Sequence, residues 1–401
     1  MALSAAMSWL RSHASVTLAA LLLSAAPALA SCRDNADRAD SSTPIPATAR
    51  PTRTVAPPPA TAVPHSPTVA APTATPDSGQ PPLAPIPTRV PSGPGTITIT
   101  AVGDISLARE LVPRMQAQGA FYPYALIQPL LDGDIVIGNM EGALTDRGEP
   151  WPKGYNFRTP PQFASGLAQA GFDYVSLANN HAMDYGVIGL TDTIAALDAA
   201  GVAHGGAGGD LASAIAPDIL SANGVSVAVV ACALTPDEYG GFSIWQWRAR
   251  EGHGIAVCNE GDLTEAVRAG KARADFAVVF AHAGSEYITT PDATQRAVAG
   301  WAFAAGADAY VGHHAHVVQP IEMAGGRLTA WGLGNFIFDL DEVDLANIPQ
   351  PRVSLALRFT LTKGAGVTSF EALPVVLDAS QDRPRPATVD EAAVLFALIQ
   401  P

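Results

Sequence analysis

After residue 95 the chain alternates between short apolar runs of strand character and longer runs with helical spacing. Thr and Ile alternate in TITITAVGD, which begins at residue 96 and predicts a strand that ends in a turn. Further predicted strands are DIVIGNME, FDYVSLANN, VSVAVVACAL, DFAVVFAHAG and ADAYVGHHAH, and predicted helices are PQFASGLAQAG, GLTDTIAALDAAG, LTEAVRAG and TQRAVAGWAFAAG. This repetition predicts a layered α/β fold in which helices cover the sheets. Residues 328–377 are predicted to form antiparallel strands.

Polar side chains follow these predicted strands at the points where the strands end. They are Asp104, Asn139, Glu141, Asn179, Asn180, His181, His282, Glu286, His313, His314 and His316, with Asn335 and Asp339 flanking a later FIF. Ligands bind at the carboxyl ends of strands in layered α/β folds, so these residues are predicted to converge on one site.

The residue types favour metal chemistry at that site. His, Asn, Asp and Glu hold divalent metals, and no cysteine belongs to the set. In HHAH an extended backbone would place His314 and His316 on one side of the segment, where both rings address neighbouring ions. A Ser-His-Asp triad is the weaker alternative, because there is no G-x-S-x-G elbow and Ser285 would be an unusual nucleophile.

Each of these residues also has an ordinary structural interpretation. His204 and His253 are interpreted as hydrogen-bonded or surface histidines, and Asp104 could cap a helix that begins near Leu107. Asn179 and Asn180 could shape a turn. Five strand ends that carry ligand-type residues nevertheless favour a common site over coincidence.

Composition divides the chain into a tether and a core. Sixteen of the 34 prolines lie between residues 33 and 95, where Pro, Thr and Ala dominate and no core can be buried. We therefore predict a signal peptide at 1–31, a disordered linker at 32–95, a core at 96–345, and C-terminal strands and a tail of the same domain at 346–401.

The first residues have the pattern of an export signal, with Arg11 before an apolar run and small residues after it. Leu29-Ala30-Ser31-Cys32 resembles a lipoprotein lipobox, so lipid on Cys32 would anchor the protein to the membrane on its extracytoplasmic side. The alternative is secretion after cleavage at Ala30. Cys232 and Cys258 are then left as a possible disulfide, although Cys232 could simply be a small buried apolar residue.

The formal net charge of −14 argues against nucleic acid as a partner, because phosphate binding needs clustered Lys and Arg. An acidic surface would also repel a polyanionic substrate, unless local cations or bound metals reverse the field at the site. Arg109, Lys153 and Arg158 are the candidate anion contacts, and the last two flank Tyr155 and Phe157 in the loop-like WPKGYNFRTPP.

Six motifs in the same order resemble the CapA family of bacterial capsule or poly-γ-glutamate synthesis proteins: GDISL, GNMEG, LANNHAMDYG, HAGSEY, GHHAHVVQ and GLGNFIFD. The resemblance covers residues 96–345. It implies a fold similar to calcineurin-like metallophosphoesterases, a four-layer αββα sandwich of mixed sheets flanked by helices. It also implies a divalent metal cofactor, expected as two ions of Mn, Fe or Zn.

The resemblance also implies roles for single residues. The implied metal ligands are Asp104, Glu141, Asn180, His282, His314 and His316, and the implied catalytic residue is His181. We add Asp184, or another carboxylate, as the second catalytic residue, which would orient His181. We add Arg109, Asn139, Lys153, Arg158, Glu286 and His313 as candidate substrate contacts. Two positions depart from the pattern: Ser106 stands where the superfamily often has a histidine, and Ala283 where the family commonly has a tryptophan.

Two functions remain open from the sequence. The first is a membrane-tethered hydrolase-like enzyme that acts on an anionic surface polymer or its precursor, with a membrane synthesis complex as a further candidate partner. The second is a non-catalytic polymer-binding or assembly protein of the same fold. A phosphodiesterase unrelated to capsule is the weaker third possibility, because many such enzymes share the fold.

Overall fold

The computed structural model describes residues 53–54, 81–89, 91–238, 240–348, 352–378 and 383–400. The predicted signal peptide, Cys32 and most of the predicted linker lie outside the described residues. No helix in the described ranges is long and apolar enough to span a bilayer.

The strands are β1 (Arg53–Thr54), β2 (Thr96–Ile105), β3 (Ile135–Met140), β4 (Ala143–Leu144), β5 (Arg158–Thr159), β6 (Tyr174–Ser176), β7 (Ala203–Gly205), β8 (Ala207–Gly208), β9 (Asp218–Ala222), β10 (Val225–Leu234), β11 (Gly254–Ile255), β12 (Phe276–Ala283), β13 (Ala309–His313), β14 (Ile321–Ala324), β15 (Arg327–Ala330), β16 (Asn335–Ile337), β17 (Val353–Thr362), β18 (Gly366–Asp378) and β19 (Arg383–Pro386). The helices are α1 (Leu111–Gln118), α2 (Ala164–Ala170), α3 (Gly186–Ala200), α4 (Leu211–Ile215), α5 (Glu260–Lys271), α6 (Ala293–Ala305), α7 (Glu342–Asn347) and α8 (Val389–Leu398). Short 3-10 turns lie at Tyr122–Tyr124, Gln128–Leu130, Pro161–Phe163 and Ile244–Trp247.

Two large mixed sheets organise these elements. One has the strand order β19-β18-β17-β2-β3-β6-β7, with β16 added beside β2, and the other has the order β1-β9-β10-β12-β13-β15-β14. The central neighbours β2, β3 and β6 are parallel, as are β10, β12 and β13. Their carboxyl ends therefore point the same way within each sheet, which is what gathers the strand-end residues.

The alternation of side chains on β10 shows how the layers stack. Val227 and Val229 belong to the large core that also contains side chains of β2 and β3. Ala228 and Val230 point the other way, into a second cluster with residues of α5 and α6. On the other sheet, α3 packs beside β7, and α8 beside β17 and β18. The predicted α/β class, with mixed sheets and flanking helices, is confirmed.

The predicted helices form where the sequence places them, and several end as predicted at a glycine. Gly171, Gly201 and Gly306 take the left-handed conformation just after α2, α3 and α6. Gly270 does not end α5. It lies inside the helix, where an added Cβ would come within 2.7 Å of the Ala228 methyl group on β10.

Further features of the core correct the sequence prediction, go beyond it or decide between its alternatives. Of the predicted antiparallel strands, β17 and β18 form an antiparallel pair, but β15 pairs parallel with β13 and β16 pairs parallel with β2, because these two strands extend the parallel parts of the large sheets. After β19 the chain adds α8, which begins with Thr388 and Glu391 in a reciprocal capping box. Cys232 and Cys258 form a disulfide with their Cα atoms 5.0 Å apart, so the pairing alternative holds, and both residues are also buried among apolar side chains.

Candidate metal centre and its pocket

The candidate site lies where the carboxyl ends of strands from both sheets meet. Asp104 on β2 pairs in register with Asn139 on β3 and with Asn335 on β16. In the other sheet, His282 on β12 is in register with His313 on β13. The backbone is tightly packed here, because a Cβ on Gly103 would lie 1.8 Å from the carbonyl oxygen of Gly334. The strand register and the close approach of the two backbones together place the polar side chains where the strand ends of the two sheets meet.

Asp104 is fully buried at the centre of this edge. Its Oδ1 accepts a hydrogen bond from Asn139 Nδ2 at 2.8 Å, and its Oδ2 accepts one from the backbone N–H of His314 at 3.1 Å. His282 and His316 each place a ring nitrogen 3.7 Å from the carboxylate. Burial acts to raise the pKa of Asp104, but the surrounding imidazoles prevail and hold that pKa below its ordinary value. Asp104 is therefore an anion at neutral pH.

Glu141, directly after β3, is buried and neither carboxylate oxygen has a hydrogen-bond partner. Three ring nitrogens surround its Oε1: Nε2 of His282 at 3.6 Å, of His316 at 3.8 Å and of His181 at 3.9 Å. Burial, with the nearby charge of Asp104, raises the pKa of Glu141 well above its ordinary value. A buried carboxyl group without a donor is destabilising unless a cation joins it.

His282 connects the two sheets at the site. Asn139 Nδ2 lies 3.2 Å from its Nδ1, while Asn180 Oδ1 and His314 Nδ1 lie 2.8 and 3.1 Å from its Nε2. Burial lowers the pKa of His282 to about 4 and that of His314 well below its ordinary value. Both rings are therefore neutral at pH 7, the state in which an imidazole nitrogen offers a lone pair to a metal.

The histidines of the HHAH segment reach the site through a backbone conformation that the sequence did not predict. An extended backbone was expected, but β13 ends at His313, and His314 and His316 have φ angles of 83° and 56°. These left-handed turns bring the two rings to a centroid distance of 5.8 Å. His316 Nδ1 donates to Asn335 Oδ1 at 2.6 Å, which directs its Nε2 toward Glu141 and Glu286.

Within the described part of the chain, three overlapping sets of side chains place ligand atoms within 4.8 Å of one another. They are Glu141, His282 and His314; Asp104, Glu141 and His316; and Glu286, His314 and His316. The donor types are those that divalent cations prefer, and the unpartnered oxygens of Glu141 lie inside the cluster. The residues present therefore fit a divalent metal centre.

His181 and Asp184 form a buried pair beside this centre. His181 Nδ1 donates to Asp184 Oδ2 at 2.7 Å, and the His181 ring stacks on Phe157 with centroids 4.1 Å apart. The same carboxylate oxygen accepts the backbone N–H of Phe157 at 2.5 Å. Burial raises the pKa of Asp184 to about 7 and, with the charge of Lys153, lowers the pKa of His181 well below its ordinary value. The pair orients His181 Nε2 toward Glu141.

Two adjoining pockets open over the centre. The larger, about 390 Å³, is lined by Gly154, Tyr155, Asn180, His181, Pro236, Asp237, Glu238, Ser285, Glu286 and His314. The smaller, about 70 Å³, is lined by Arg109, Tyr155, Phe157, His181, Glu286, Tyr287, His316, Phe338, Asp341, Val343 and Asp344. His181 and Glu286 line both, so the candidate catalytic and ligand residues are accessible from outside.

The six predicted substrate contacts separate into different places. Arg109 and Glu286 line the pockets. The Arg109 guanidinium lies over the rings of Tyr155 and Phe157, and Asp341 holds it at 3.3 Å. Asn139 is buried and bonded to Asp104, behind the ligands.

The other three predicted contacts do not reach the pockets. His313 Nε2 donates to the carbonyl of Val102 at 3.1 Å. Arg158 donates to the carbonyls of Arg147 and Gly148 and lies on the Tyr185 ring. The Lys153 side chain is fully buried. The charged groups of Arg158 and Lys153 and the ring nitrogen of His313 are therefore paired with other groups inside the fold.

Several residues at the site were not singled out from the sequence. Glu238 accepts from Asn180 Nδ2 at 2.9 Å, and Tyr287 donates from its hydroxyl to Asp344 at 2.8 Å on the pocket wall. Both lie in connecting segments, where no periodic pattern marks a position. Asn335 is a strand-end residue of the sequence prediction without an assigned role, and in the structure its bond to His316 orients that ring.

The chain is similar in sequence to bacterial capsule synthesis proteins. The model of the family described as "Bacterial capsule synthesis protein PGA_cap" matches residues 98–340. "PGA biosynthesis protein CapA" of Bacillus subtilis (strain 168) is 30% identical over 298 residues, which cover 73% of this chain and 74% of that protein. "Capsule biosynthesis protein CapA" of Bacillus anthracis is 32% identical over 252 residues, or 61% of this chain and 60% of that protein.

Solved structures give a more distant comparison. The calcineurin-like phosphoesterase YfkN from Bacillus subtilis is 13% identical, covers 75% of this chain and 97% of its own, and has a TM-score of 0.41.

Proposed function

Because the chain belongs to the bacterial capsule synthesis family PGA_cap, we propose that it acts in the synthesis of an anionic surface polymer of the poly-γ-glutamate type. We further propose that it is a metal-dependent hydrolase-like enzyme. The observation that carries this proposal is the unpartnered, buried carboxylate of Glu141 among the ring nitrogens of His181, His282 and His316, below an open pocket.

Asp104, Glu141, Asn180, His282, His314 and His316 would hold the metal, which we expect to be two divalent ions of Mn, Fe or Zn. The overlapping ligand sets support two positions, since one set contains Asp104 and another contains the outer residue Glu286. When bound, such ions supply Lewis-acid activation of water and of the bond to be cleaved.

The protein's own residues supply proton handling and positioning. Asp184 holds the His181 Nδ1–H, so Nε2 is the atom on which His181 would carry a proton to or from the leaving group. Arg109 is the cation on the wall of the smaller pocket and would bind an anionic group of the substrate. Tyr155 and Phe157 lie under its guanidinium and orient it.

We also propose that the protein works outside the cytoplasm, tethered through lipid on Cys32 and its Pro-rich linker. The disulfide between Cys232 and Cys258 supports an oxidising compartment, where such bonds persist. The expected partners are the anionic polymer or its precursor and the membrane complex that makes it.

The test is metal analysis of the full-length protein, followed by hydrolysis assays on phosphoester and γ-glutamyl substrates with Mn²⁺ and with chelator. We expect bound metal, and hydrolysis that the chelator abolishes and that Glu141→Gln removes. The matched control is Glu260→Gln, which alters an exposed carboxylate of α5 that lines neither of the two pockets over the centre. No bound metal and no chelator-sensitive hydrolysis would refute the enzyme. Bound metal without any turnover would favour the non-catalytic assembly protein.

A further inference from the structure

Asp341 lies beside Arg109, the cation on the wall of the smaller pocket. Asp341 Oδ2 is 3.3 Å from Arg109 Nη2, and both side chains line that pocket. The side chains are partly exposed, 31% for Asp341 and 27% for Arg109, so a ligand in the pocket can reach both. The guanidinium that would bind an anionic group therefore already has a carboxylate of the protein next to it.

The Asp341 carboxylate is held in place because it also caps α7. Its Oδ1 accepts the backbone N–H of Val343 at 2.8 Å and that of Asp344 at 3.1 Å. Rotating the side chain away from Arg109 would break both bonds, and a helix cap of this kind contributes about 1 kcal/mol. An anion that approaches Arg109 therefore meets a carboxylate that stays where it is.

Arg109 is also fixed, yet it keeps N–H groups for a ligand. Its Nη1 donates to the carbonyl of Asp339 at 3.2 Å, and its guanidinium carbon lies 5.4 Å from the Tyr155 ring centroid and 4.9 Å from that of Phe157. A guanidinium has several N–H groups in a planar fork. The polar contacts in the described part of the chain engage one N–H of each terminal nitrogen. The others can donate to a ligand carboxylate.

Asp341 Oδ2 is an acceptor with capacity left for a ligand, because a carboxylate oxygen has two lone pairs. The neighbouring carboxylate of the same wall is already paired. Asp344 Oδ1 accepts the Tyr287 hydroxyl at 2.8 Å, and its Oδ2 accepts the backbone N–H of Asp341 at 3.0 Å. Asp341 Oδ2 is therefore the acceptor next to Arg109 that an N–H group of a ligand can use.

The Arg109–Asp341 pair suits a ligand that carries an anion and a donor side by side. A fully ionised phosphoryl group has no donor for Oδ2 and is repelled by its charge, and such like-charge contacts select against a ligand. A carboxylate on the same carbon as an amide nitrogen matches both partners. That pattern recurs along a γ-linked glutamate chain, in which every unit keeps its α-carboxylate beside the amide N–H.

We propose that Asp341 is a specificity-determining residue that favours a carboxylate with an adjacent N–H donor over a fully ionised phosphoryl group. Arg109 binds the carboxylate, and Asp341 Oδ2 accepts the N–H. This rests on the proposed function only in taking the smaller pocket as the place where an anionic substrate group binds. The substrate class is then an amide-linked chain of acidic residues and not a phosphodiester.

The test compares two probes that differ in one donor, and it needs no turnover. N-acetylglutamate carries a carboxylate beside an amide N–H, whereas N-acetyl-N-methylglutamate has the same charges without that N–H. Calorimetry measures both on the full-length protein, first metal-free and then loaded with Mn²⁺, since neither Arg109 nor Asp341 is a proposed metal ligand. We expect the wild type to bind the N–H probe about tenfold more tightly in both states.

Variants of Asp341 test the assignment. Asp341→Asn keeps the helix cap through Oδ1 but presents an amide N–H₂ in place of Oδ2. We expect the preference between the probes to fall to about twofold or less, and the affinity for inorganic phosphate to rise about fivefold. Asp341→Ser, which also caps a helix but is shorter, takes its place if the asparagine variant fails to fold. Glu342→Gln is the matched control, because it neutralises an exposed carboxylate of the same turn that lines neither pocket.

The two expected effects have opposite signs, which a general loss of structure would not produce. A wild type that binds neither probe, or that does not prefer the N–H probe, would overturn the proposal. A folded Asp341 variant that keeps the preference or does not bind phosphate more tightly would also overturn it, as would the same changes in Glu342→Gln. A protein that shows the expected preference but holds no metal or has no hydrolytic activity would refute only the enzyme of the proposed function.

Discussion

Glu141 Oε1 lies 3.6 Å from His282 Nε2, and yet neither oxygen of this buried carboxylate accepts a hydrogen bond. A buried carboxylate in this state fits a centre that an added cation would stabilise. Buried polar groups without partners are rare because each destabilises the fold by about 1–3 kcal/mol. The first prediction follows from this conflict between stability and metal binding.

Glu141→Gln should stabilise the metal-free protein by about 1–2 kcal/mol, because a neutral amide replaces a carboxylate without donors and can itself donate. The same change should weaken metal binding, because a charged ligand is lost. Urea unfolding in chelator measures the first effect, and metal titration the second. A destabilised metal-free variant would show that Glu141 has an internal partner.

Asp104→Asn should lower the bound metal to less than half of the wild-type amount after dialysis. Asp104 lies 3.7 Å from ring nitrogens of both His282 and His316, so its charge is shared across the ligand sets. Metal content per protein by mass spectrometry is the measurement. His253→Gln is the control, since that histidine is exposed. Equal metal content in both variants would remove Asp104 from the ligand set.

Arg109→Lys should weaken the binding of inorganic phosphate by about tenfold, or about 1.4 kcal/mol, because a lysine cannot present the planar fork of an arginine to an oxyanion. Calorimetry on the metal-loaded protein measures the affinity. Arg158→Lys is the matched control: its guanidinium bonds to Arg147 and Gly148 carbonyls outside the pockets. That variant should bind phosphate as the wild type does. Equal weakening by both would mean that the effect is not local to the pocket.

The strands and the candidate ligands followed from the sequence because both depend on local patterns. Alternating Thr and Ile located β2, and continuous apolar runs located β10 and β12. Parallel pairing within each sheet then placed Asp104 and His282 at strand ends, and these ends meet at the site. Sequence order alone cannot give the direction of a side chain. His313 and His314 are neighbours, but the first bonds to Val102 and the second faces His282, because a left-handed φ intervenes.

The charged loop residues were the least predictable for a physical reason. Lys153 and Arg158 flank aromatic residues as a substrate-binding loop would, and a pattern of charges does not reveal which cations are neutralised inside the fold. Asp184 and the carbonyl of Asn180 take up Lys153, and two backbone carbonyls take up Arg158. Such partners are distant in sequence or in irregular segments. Only the three-dimensional arrangement distinguishes a cation that is paired inside the fold from an accessible anion contact.

The last prediction concerns α8, whose first turn is held by a bidentate ion pair. Arg385 donates through both terminal nitrogens to Glu391 at 2.8 Å, and the Thr388 backbone N–H adds a third bond at 2.8 Å. These bonds lower the pKa of Glu391 to about 2 from an ordinary value of 4.5. A carboxylate with a depressed folded-state pKa stabilises the fold fully above its unfolded-state pKa, and less as the pH falls toward the folded-state value.

Glu391→Gln should therefore destabilise the protein by about 1 kcal/mol at pH 7, a value reduced for the partial exposure of the pair. The difference from wild type should shrink between about pH 4.5 and pH 2, because the wild-type carboxylate becomes protonated over that interval. Urea unfolding across that range measures it. Asp390→Asn is the control, because it removes an exposed charge from the same helical turn without breaking the ion pair. A difference that stays constant down to pH 2 would show that Glu391 acts through the shape of its side chain and not through its charge.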